Sequence, residues 1–331
     1  MEAKVRWGIL STAKIGVQKV IPAMQSGKLI SVDAIASRNL AKAKEVAELL
    51  SISKSYGSYE ELLQDPDIDA IYNPLPNHMH VPWTIKALEA GKHVLCEKPI
   101  GMNAKEAQLL VEGTRKYPHL KVMEAFMYRF HPQWQKVREL VQAGEIGEVA
   151  TINSFFSYHN IAPDNIRNQA DIGGGALMDI GCYCISFPRF IFNEEPEQLV
   201  GDIDFDPVMK TDRLSSAILK FPKGKTSTFT CSTQLMPYQR AIIFGDKGKI
   251  EVEIPVNAPP TETVKIILET KETKQVFAFE PIDQYTLQGE AFSKAIIENT
   301  EVPTPLTDAV NNMKVIDAII KSSLNGQWIT I

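Results

Sequence analysis

Val5-Arg6-Trp7-Gly8-Ile9-Leu10-Ser11-Thr12-Ala13-Lys14-Ile15-Gly16 is the stretch on which the fold turns. Its apolar run to Leu10 reads as a buried strand, and the small residues Ser11 and Ala13 let the chain turn tightly into a helix predicted from Ile15 to about Ser26. Outward from there the alternation repeats. Ile30–Ala36 reads as a strand and Leu40–Leu50 as a helix with apolar residues at helical spacing. A short segment near Tyr56, a helix over Tyr59–Leu63, a strand over Asp69–Tyr72 and a helix over Val81–Ala90 ended by Gly91 follow. His93–Cys96, a helix over Ala104–Lys116 and Leu120–Ala125 close the series. Such βα alternation predicts a doubly wound parallel sheet.

The rhythm then changes. After a helix near Gln133–Gln142, strand patterns succeed one another: Val149–Tyr158, Ser215–Phe221, Thr226–Cys231, Arg240–Phe244, Lys249–Val252, Val264–Glu269 and Gln275–Phe279. Asp246-Lys247-Gly248 reads as a hairpin turn. Helices return at Tyr285–Glu298 and Thr307–Ser323, and Trp328–Ile331 reads as a last short strand. The expectation is an α/β domain over 1–125 and an α+β domain over 126–331 with a large, open, mostly antiparallel sheet. The C-terminal helix is a candidate to pack back on the first domain.

A chain of 331 residues with 44% hydrophobic content suits two globular domains. A net charge of -5 gives no nucleic-acid footprint. No run of about 18 apolar residues stands out, which argues against a membrane span. Met1-Glu2-Ala3-Lys4 leads almost directly into the first strand without an apolar leader, which points to the cytoplasm. The four cysteines, Cys96, Cys182, Cys184 and Cys231, have no disulfide-type spacing. Cys182-x-Cys184 reads as half a metal site or as buried thiols acting as small hydrophobes, and the apolar surroundings favour the second. No metal site is expected.

The turn at Ser11–Gly16 sits where a dinucleotide fingerprint belongs, with only the third glycine of GxGxxG kept, as Gly16. Ser11, Thr12, Ala13, Lys14 and Ile15 would then carry the pyrophosphate at a helix N-terminus. The second strand ends Ala36-Ser37-Arg38, without the acid that selects NAD. A hydroxyl and a guanidinium suit the extra phosphate of NADP, with NAD still possible; the plainer reading of Arg38 is a solvated loop charge. The loop Asn73-Pro74-Leu75-Pro76-Asn77-His78 lies at the same sheet edge. Pro74, Leu75, Asn77 and His78 border the cofactor there, or Asn77 and His78 cap the next helix.

Glu97-Lys98-Pro99 follows the apolar run Val94-Leu95-Cys96. A charged pair at the end of a buried strand is costly unless a ligand or partner uses it. It lies where an open α/β sheet binds ligands, so Lys98 is placed for a reacting group. Pro99 biases Lys98 toward extended backbone.

The turn Gly8–Gly16, the loop Asn73–His78, Glu97-Lys98-Pro99, Met127-Tyr128-Arg129-Phe130-His131-Pro132 and the block Gly173–Tyr183 together resemble the Gfo/Idh/MocA oxidoreductases. Within that family the chain is most similar to the branch holding glucose–fructose oxidoreductase, NADP-dependent xylose dehydrogenase and dimeric dihydrodiol dehydrogenase. The resemblance runs through nearly the whole chain. It implies a Rossmann domain, a C-terminal domain with a large open sheet, and hydride transfer to or from nicotinamide. It implies that Lys98 contacts substrate and helps move the proton. Many members carry an Asp-x-x-x-His pair; the matching positions here are Asp179 and Tyr183, and the tyrosine resembles the sugar and dihydrodiol branch. It also brings Glu97, Glu124, Arg167 and Tyr285 near the nicotinamide half.

Oxidation of a secondary alcohol needs a hydride acceptor, a proton acceptor and a grip on a polar substrate. Tyr183 is the candidate proton carrier, helped by a nearby Lys98 ammonium; its plainer reading is a core anchor. Asp179, four residues earlier on one helix face, orients Lys98 or Tyr183 or binds a substrate hydroxyl. The triple glycine at 173–175 is a turn against the cofactor or a helix-entry loop. His131 and His159 read as structural, and Arg129 as a partner for a carboxylate. The expected activity is NADP-dependent oxidation or reduction of a sugar, polyol or trans-dihydrodiol, or of a keto-sugar or bilin-like ring. The alternative is a non-catalytic NAD(P)-binding sensor. A carbohydrate-like small molecule is the expected partner, with neither nucleic acid nor membrane. Exposed sheet faces and edges are normally covered, so a homodimer or homotetramer is expected.

Overall fold

In the computed structural model, which describes residues 3–331, β1 (Val5–Leu10) pairs in parallel with β2 (Ile30–Ala36) and with β4 (Ala70–Asn73). Trp7, Ile9 and Leu10 are fully buried, so the strand carries core on both faces, as a central parallel strand must. Gly8 is needed for space, since a Cβ there would lie 2.6 Å from Leu62 Cδ2. With β3 (Lys54–Tyr56), β5 (His93–Cys96) and β6 (Val122–Glu124), the strands form a six-stranded sheet in the order β3-β2-β1-β4-β5-β6. This is the doubly wound dinucleotide-binding order, with its switch between β1 and β4.

The connecting helices are α1 (Ile21–Gln25), α2 (Leu40–Leu49), α3 (Tyr59–Leu63), α4 (Asn77–Glu89) and α5 (Ala104–Thr114). Asn39, Ser58 and Asn103 cap α2, α3 and α5 by accepting from Lys42 N at 3.3 Å, Glu61 N at 3.1 Å and Glu106 N at 2.9 Å. Each such cap is worth about 1 kcal/mol. A π turn over Gly16–Val20 leads into α1. Helix α4 starts at Asn77 rather than at the expected Val81, and Pro82 lies inside it. Its N-cap is Pro76, so Asn77 and His78 are the first helical residues and not the caps.

Among the described residues, a nine-stranded sheet follows. Its strands are β7 (Val149–His159), β8 (Gln198–Phe205), β9 (Asp212–Lys220), β10 (Thr226–Ser232), β11 (Gln234–Gly245), β12 (Gly248–Val252), β13 (Val264–Thr270), β14 (Lys274–Phe279) and β15 (Ile329–Thr330). Their order is β14-β13-β12-β11-β7-β10-β9-β8-β15, antiparallel except for β7 beside β10. The hairpin at Asp246–Lys247 joins β11 to β12 as expected. Strand β8 has no counterpart in the sequence reading.

Register gives the sheet two unlike faces. Leu199, Leu219, Ser227, Ile152, Ile243, Ile250 and Leu268 stand in one cross-strand row and are buried. The neighbouring row holds Val200, Ile218, Thr228, Asn153, Ile242, Glu251, Ile267 and Val276, with Ile218 and Val276 exposed at 42% and 57%. Helices α6 (Pro132–Gln142) and α7 (Cys182–Phe192) share an aromatic cluster in which Trp134 stacks on Phe187 at 4.7 Å and Tyr128 meets both rings edge-on. The stretch Ala170–Phe192 has the length and mean hydropathy of a bilayer span, contrary to the sequence reading. However, 89% of its most apolar window is buried inside the protein, which makes it core.

The chain forms two units: Met1–Met127 with Asp283–Val310, and Tyr128–Ile282 with Asn311–Ile331. Residues 283–310 therefore lie with the first unit, which a single division at 125/126 does not capture. Helix α8 (Gln284–Ile297) shows why. Trp7 Nε1 donates to Ser293 Oγ at 3.2 Å, the Trp7 and Phe292 rings pack at 5.6 Å, and Leu29 N donates to Glu290 Oε1 at 2.8 Å. Helix α9 (Leu306–Asn325) belongs to the second unit from Asn311 on, where Asn312 bonds the Cys182 carbonyl and the Arg189 guanidinium. Met1 and Glu2, on which part of the reading of the N-terminus falls, lie outside the described residues.

Candidate active site

The first unit gathers most of the expected residues at the carboxyl edge of its sheet. Ser11 leaves β1 with φ 74, the left-handed backbone for which glycine is the usual choice. Its hydroxyl accepts from Ala13 N at 3.2 Å, and helical backbone starts at Lys14. Thus a serine does the turning that the first glycine of the fingerprint normally does. Ser11, Thr12, Ala13 and Ile15 are half-buried and Lys14 is exposed, which leaves the turn open. At Gly16 a Cβ would sit 3.8 Å from Tyr72 and Pro74, an ordinary contact.

Ser37 and Arg38 follow β2. Ser37 is buried, and its hydroxyl accepts from Asn39 N at 3.3 Å. Arg38 is exposed and lies near the Tyr59 hydroxyl. Burial raises that hydroxyl above its ordinary range, and the Arg38 guanidinium works the other way. An open small-residue turn and an exposed guanidinium at the adjacent strand end fit a dinucleotide carrying an extra phosphate.

After β4, Pro74 and Leu75 are buried, Asn77 is half-buried and His78 is exposed. His80, which the sequence reading missed, ties this loop to the next one. Its Nδ1 lies 2.7 Å from Pro99 O and its Nε2 lies 2.6 Å from Leu75 O. A neutral imidazole donates through one nitrogen only. The two carbonyls favour the doubly protonated ring, whereas burial pulls it down to about 4.

Glu97 and Lys98 are half-buried at the end of β5, before a cis Pro99. Glu97 is fixed by Tyr72, whose hydroxyl donates to Oε1 at 2.7 Å. Burial and the Glu97 carboxylate hold Tyr72 well above its ordinary pKa, so it stays a donor. Glu124, at the end of β6, is buried and accepts from Ile100 N at 2.7 Å through Oε1. Tyr285, capped by Asp283 at the start of α8, lies close enough to Tyr72 to be felt electrostatically. So Glu97, Glu124, Lys98 and Tyr285 share one edge of the first unit, with Tyr72 as an unforeseen member.

In the second unit Asp179 is the focus. Its Oδ2 accepts from Tyr158 Oη at 2.7 Å and from Arg167 Nε at 2.9 Å. Arg167 sits on a short 3-10 turn, and Tyr158 comes from β7. Burial and the Asp179 carboxylate both raise the Tyr158 pKa, so it is protonated and donating. Asp179 lies on a π turn over Leu177–Gly181 that runs into α7. Tyr183 follows one turn later, 4% exposed, with its ring edge-on to Tyr128 at 5.9 Å.

Other expectations resolve into structural roles. Arg129 is buried and bonds the hydroxyls of Ser186 at 2.6 Å and Tyr128 at 3.3 Å. His131 caps α6, its Nδ1 accepting from Gln133 N at 3.1 Å. His159 is exposed at the end of β7. All four cysteines are buried; burial pushes Cys184 up to about 12 and raises Cys96 and Cys231 above the ordinary thiol range, as inert small hydrophobes would be.

Known proteins are similar to this chain in sequence and in fold. The family model for the NAD-binding Rossmann fold of an oxidoreductase family matches residues 5–126, and the GFO/IDH/MocA C-terminal domain matches residues 134–251. The chain is 45% identical to an uncharacterized oxidoreductase of Rhizobium meliloti, over 99% of each. It is 37% identical to a D-xylose 1-dehydrogenase (NADP(+)) of Haloferax volcanii, over 97% of this chain and 98% of the other. A crystal structure of a 3-ketoreductase from Actinomadura kijaniata, in complex with NADP and TDP-benzene, superimposes with a TM-score of 0.91 at 28% identity, over 96% of this chain and 98% of that one. With its Rossmann sheet, its nine-stranded second sheet and both domain matches, the chain belongs to the Gfo/Idh/MocA family of oxidoreductases.

Proposed function

We propose that this enzyme is NADP-dependent and exchanges a hydride with a secondary alcohol or ketone of a sugar, polyol or trans-dihydrodiol. The observation that carries the reading is Asp179, fixed by Tyr158 and Arg167, one turn before Tyr183 on the same helix. Relatives named as a D-xylose dehydrogenase and as trans-1,2-dihydrobenzene-1,2-diol dehydrogenases support the substrate class. Arg38, in the place of the NAD-selecting acid, supports NADP over NAD.

When bound, the nicotinamide supplies the hydride acceptor or donor. In this reading Ser11 to Ile15 hold the pyrophosphate, Ser37 and Arg38 hold the ribose phosphate, and Pro74, Leu75, Asn77 and His78 border the cofactor. Glu97, Glu124, Arg167 and Tyr285 surround its nicotinamide half. The Tyr183 phenolate, favoured beside the Lys98 ammonium, takes the proton from the substrate hydroxyl in oxidation, and the hydroxyl so formed gives it back in reduction. The Lys98 ammonium hydrogen-bonds the reacting oxygen as negative charge grows on it. Asp179 keeps this constellation aligned. In the same reading the protein acts in the cytoplasm as a homodimer or homotetramer, with a second copy covering the exposed row around Ile218 and Val276. The deciding experiment is a screen of sugars, polyols and dihydrodiols in both directions, followed by NADPH absorbance. Turnover with a member of these classes is expected; cofactor binding with no turnover of any would sink the reading.

A further inference from the structure

Asp212 opens β9 and is 8% exposed, yet its carboxylate serves a helix elsewhere in the chain. Oδ2 accepts from Leu177 N at 2.6 Å and from Ser215 Oγ at 2.9 Å, and the Ala176 N–H also donates to the group. Leu177 begins the π turn that carries Asp179 and runs into α7 with Tyr183. The first amides of a helix lack intrahelical acceptors and form the positive end of its dipole. A carboxylate from a neighbouring strand meets both needs.

The preceding glycines are shaped around this contact. Gly175 has φ +122, and a Cβ there would fall 1.8 Å from Asp212 Oδ1. A Cβ on Gly174 would fall 2.6 Å from the Arg167 carbonyl oxygen, which accepts from Gly175 N at 2.8 Å. The triple glycine therefore packs both Asp212 and the Arg167 backbone against the helix start.

The titratable groups facing Asp212 are Tyr158 from β7 and Cys231 from β10, and burial keeps both protonated. Burial also raises Asp212 to about 6, against the bonds it accepts. A carboxylate whose pKa rises on folding binds its proton more tightly when folded, so its ionised form opposes folding above that pH. Stability at neutral pH does not account for an ionised Asp212.

We propose that Asp212 is a positioning residue that holds the first turn of the Asp179–Tyr183 helix in its working place. The inference rests on the roles given above to Asp179 and Tyr183. Asp212→Asn keeps the shape and one acceptor oxygen but loses the charge. In the full-length protein it should lower kcat at pH 8 by about 100-fold, the effect of a small misplacement of reacting groups. KM for NADP should stay within about twofold, as expected for a group that acts on the chemical step. The acid limb of kcat centred near pH 6 should disappear. Tm at pH 8 should hold or rise. A fall in Tm, or an unchanged kcat, would overturn the proposal. Ser215→Ala, which removes one donor and leaves the helix untouched, should move the acid limb to higher pH; an unmoved limb counts against it. Hydrogen exchange of amides 176–183 without cofactor, corrected for intrinsic rates, gives a readout free of activity. Faster exchange in Asp212→Asn with no substrate turned over by the native protein would uphold Asp212 and sink the functional reading. Unchanged exchange in a protein that does turn over substrate would sink the Asp212 proposal alone.

Discussion

Tyr158 donates its hydroxyl proton to Asp179 at 2.7 Å, and the two residues are 21 positions apart. The bond joins a strand of the open sheet to the helix that carries the proposed proton donor. Arg167 reaches the same oxygen with a side chain that is 37% exposed, so its ion pair is the weaker restraint. Tyr158→Phe should therefore loosen Asp179 and destabilise the protein by about 1 kcal/mol. Thermal unfolding measures the second effect. A fall in kcat beyond what unfolding explains measures the first.

Arg38→Ala should weaken NADP by about 10- to 100-fold, the range of a charge-assisted hydrogen bond, and leave NAD nearly unchanged. Titration of cofactor fluorescence with each nucleotide decides it. Equal losses for both would remove the NADP preference from Arg38.

Lys98→Ala and Tyr183→Phe should each cut kcat by about 100- to 10,000-fold while NADP still binds. Steady-state rates alongside calorimetric cofactor binding separate the two effects. Near-normal turnover in Tyr183→Phe would return that residue to the aromatic cluster it shares with Tyr128.

Acid should unfold this protein partly through His131. Burial holds its pKa down to about 4, and its Nδ1 accepts a helix-capping bond that protonation removes. The unfolded ring titrates near its ordinary 6.5. The unfolded state therefore binds more protons between these values, and stability falls as pH drops from about 6.5 toward 4. The loss amounts to roughly 3 kcal/mol. His131→Asn keeps a capping acceptor without the titration, so its stability should depend less on pH in that window. Urea unfolding at pH 4.5 and 7 checks the difference.

Light scattering should report a dimer or tetramer. Ile218→Lys with Val276→Glu, both on the exposed face, should lower the mass toward a monomer without unfolding it. A native protein that stays monomeric at all concentrations would refute the assembly.

The βα series was legible in the sequence because parallel strands are apolar on both faces and helices such as Leu40–Leu49 carry apolar residues at helical spacing. Lys98 and Glu97 were legible for a related reason, since charges at the end of an apolar strand need a use. Strand β8 was not, because Gly201, Asp202 and Asp204 break its apolar pattern. The start of α4 was hidden by Pro74 and Pro76, which made Asn73–His78 read as loop. Tyr158, Asp212, Tyr72 and His80 were out of reach. Their roles depend on which strand ends and helix starts meet, and no local spacing records that.

One feature of the nine-stranded sheet bears on how the chain is assembled. Strand β7 is its earliest strand in sequence but lies at its centre, flanked by β10 and β11. Its parallel neighbour is reached only 75 residues later, where Thr226 lies beside Thr151. A ribosome therefore releases the middle of the sheet well before either side exists. Until then β7 has no neighbour in its own sheet, and pairing over such distances is slow. The first unit faces the same delay at its far end, since α8 arrives only after β7 to β14 of the second sheet have been made. Neither unit is complete at its own first boundary: the first waits for residues 283–310 and the second for residues 311–331.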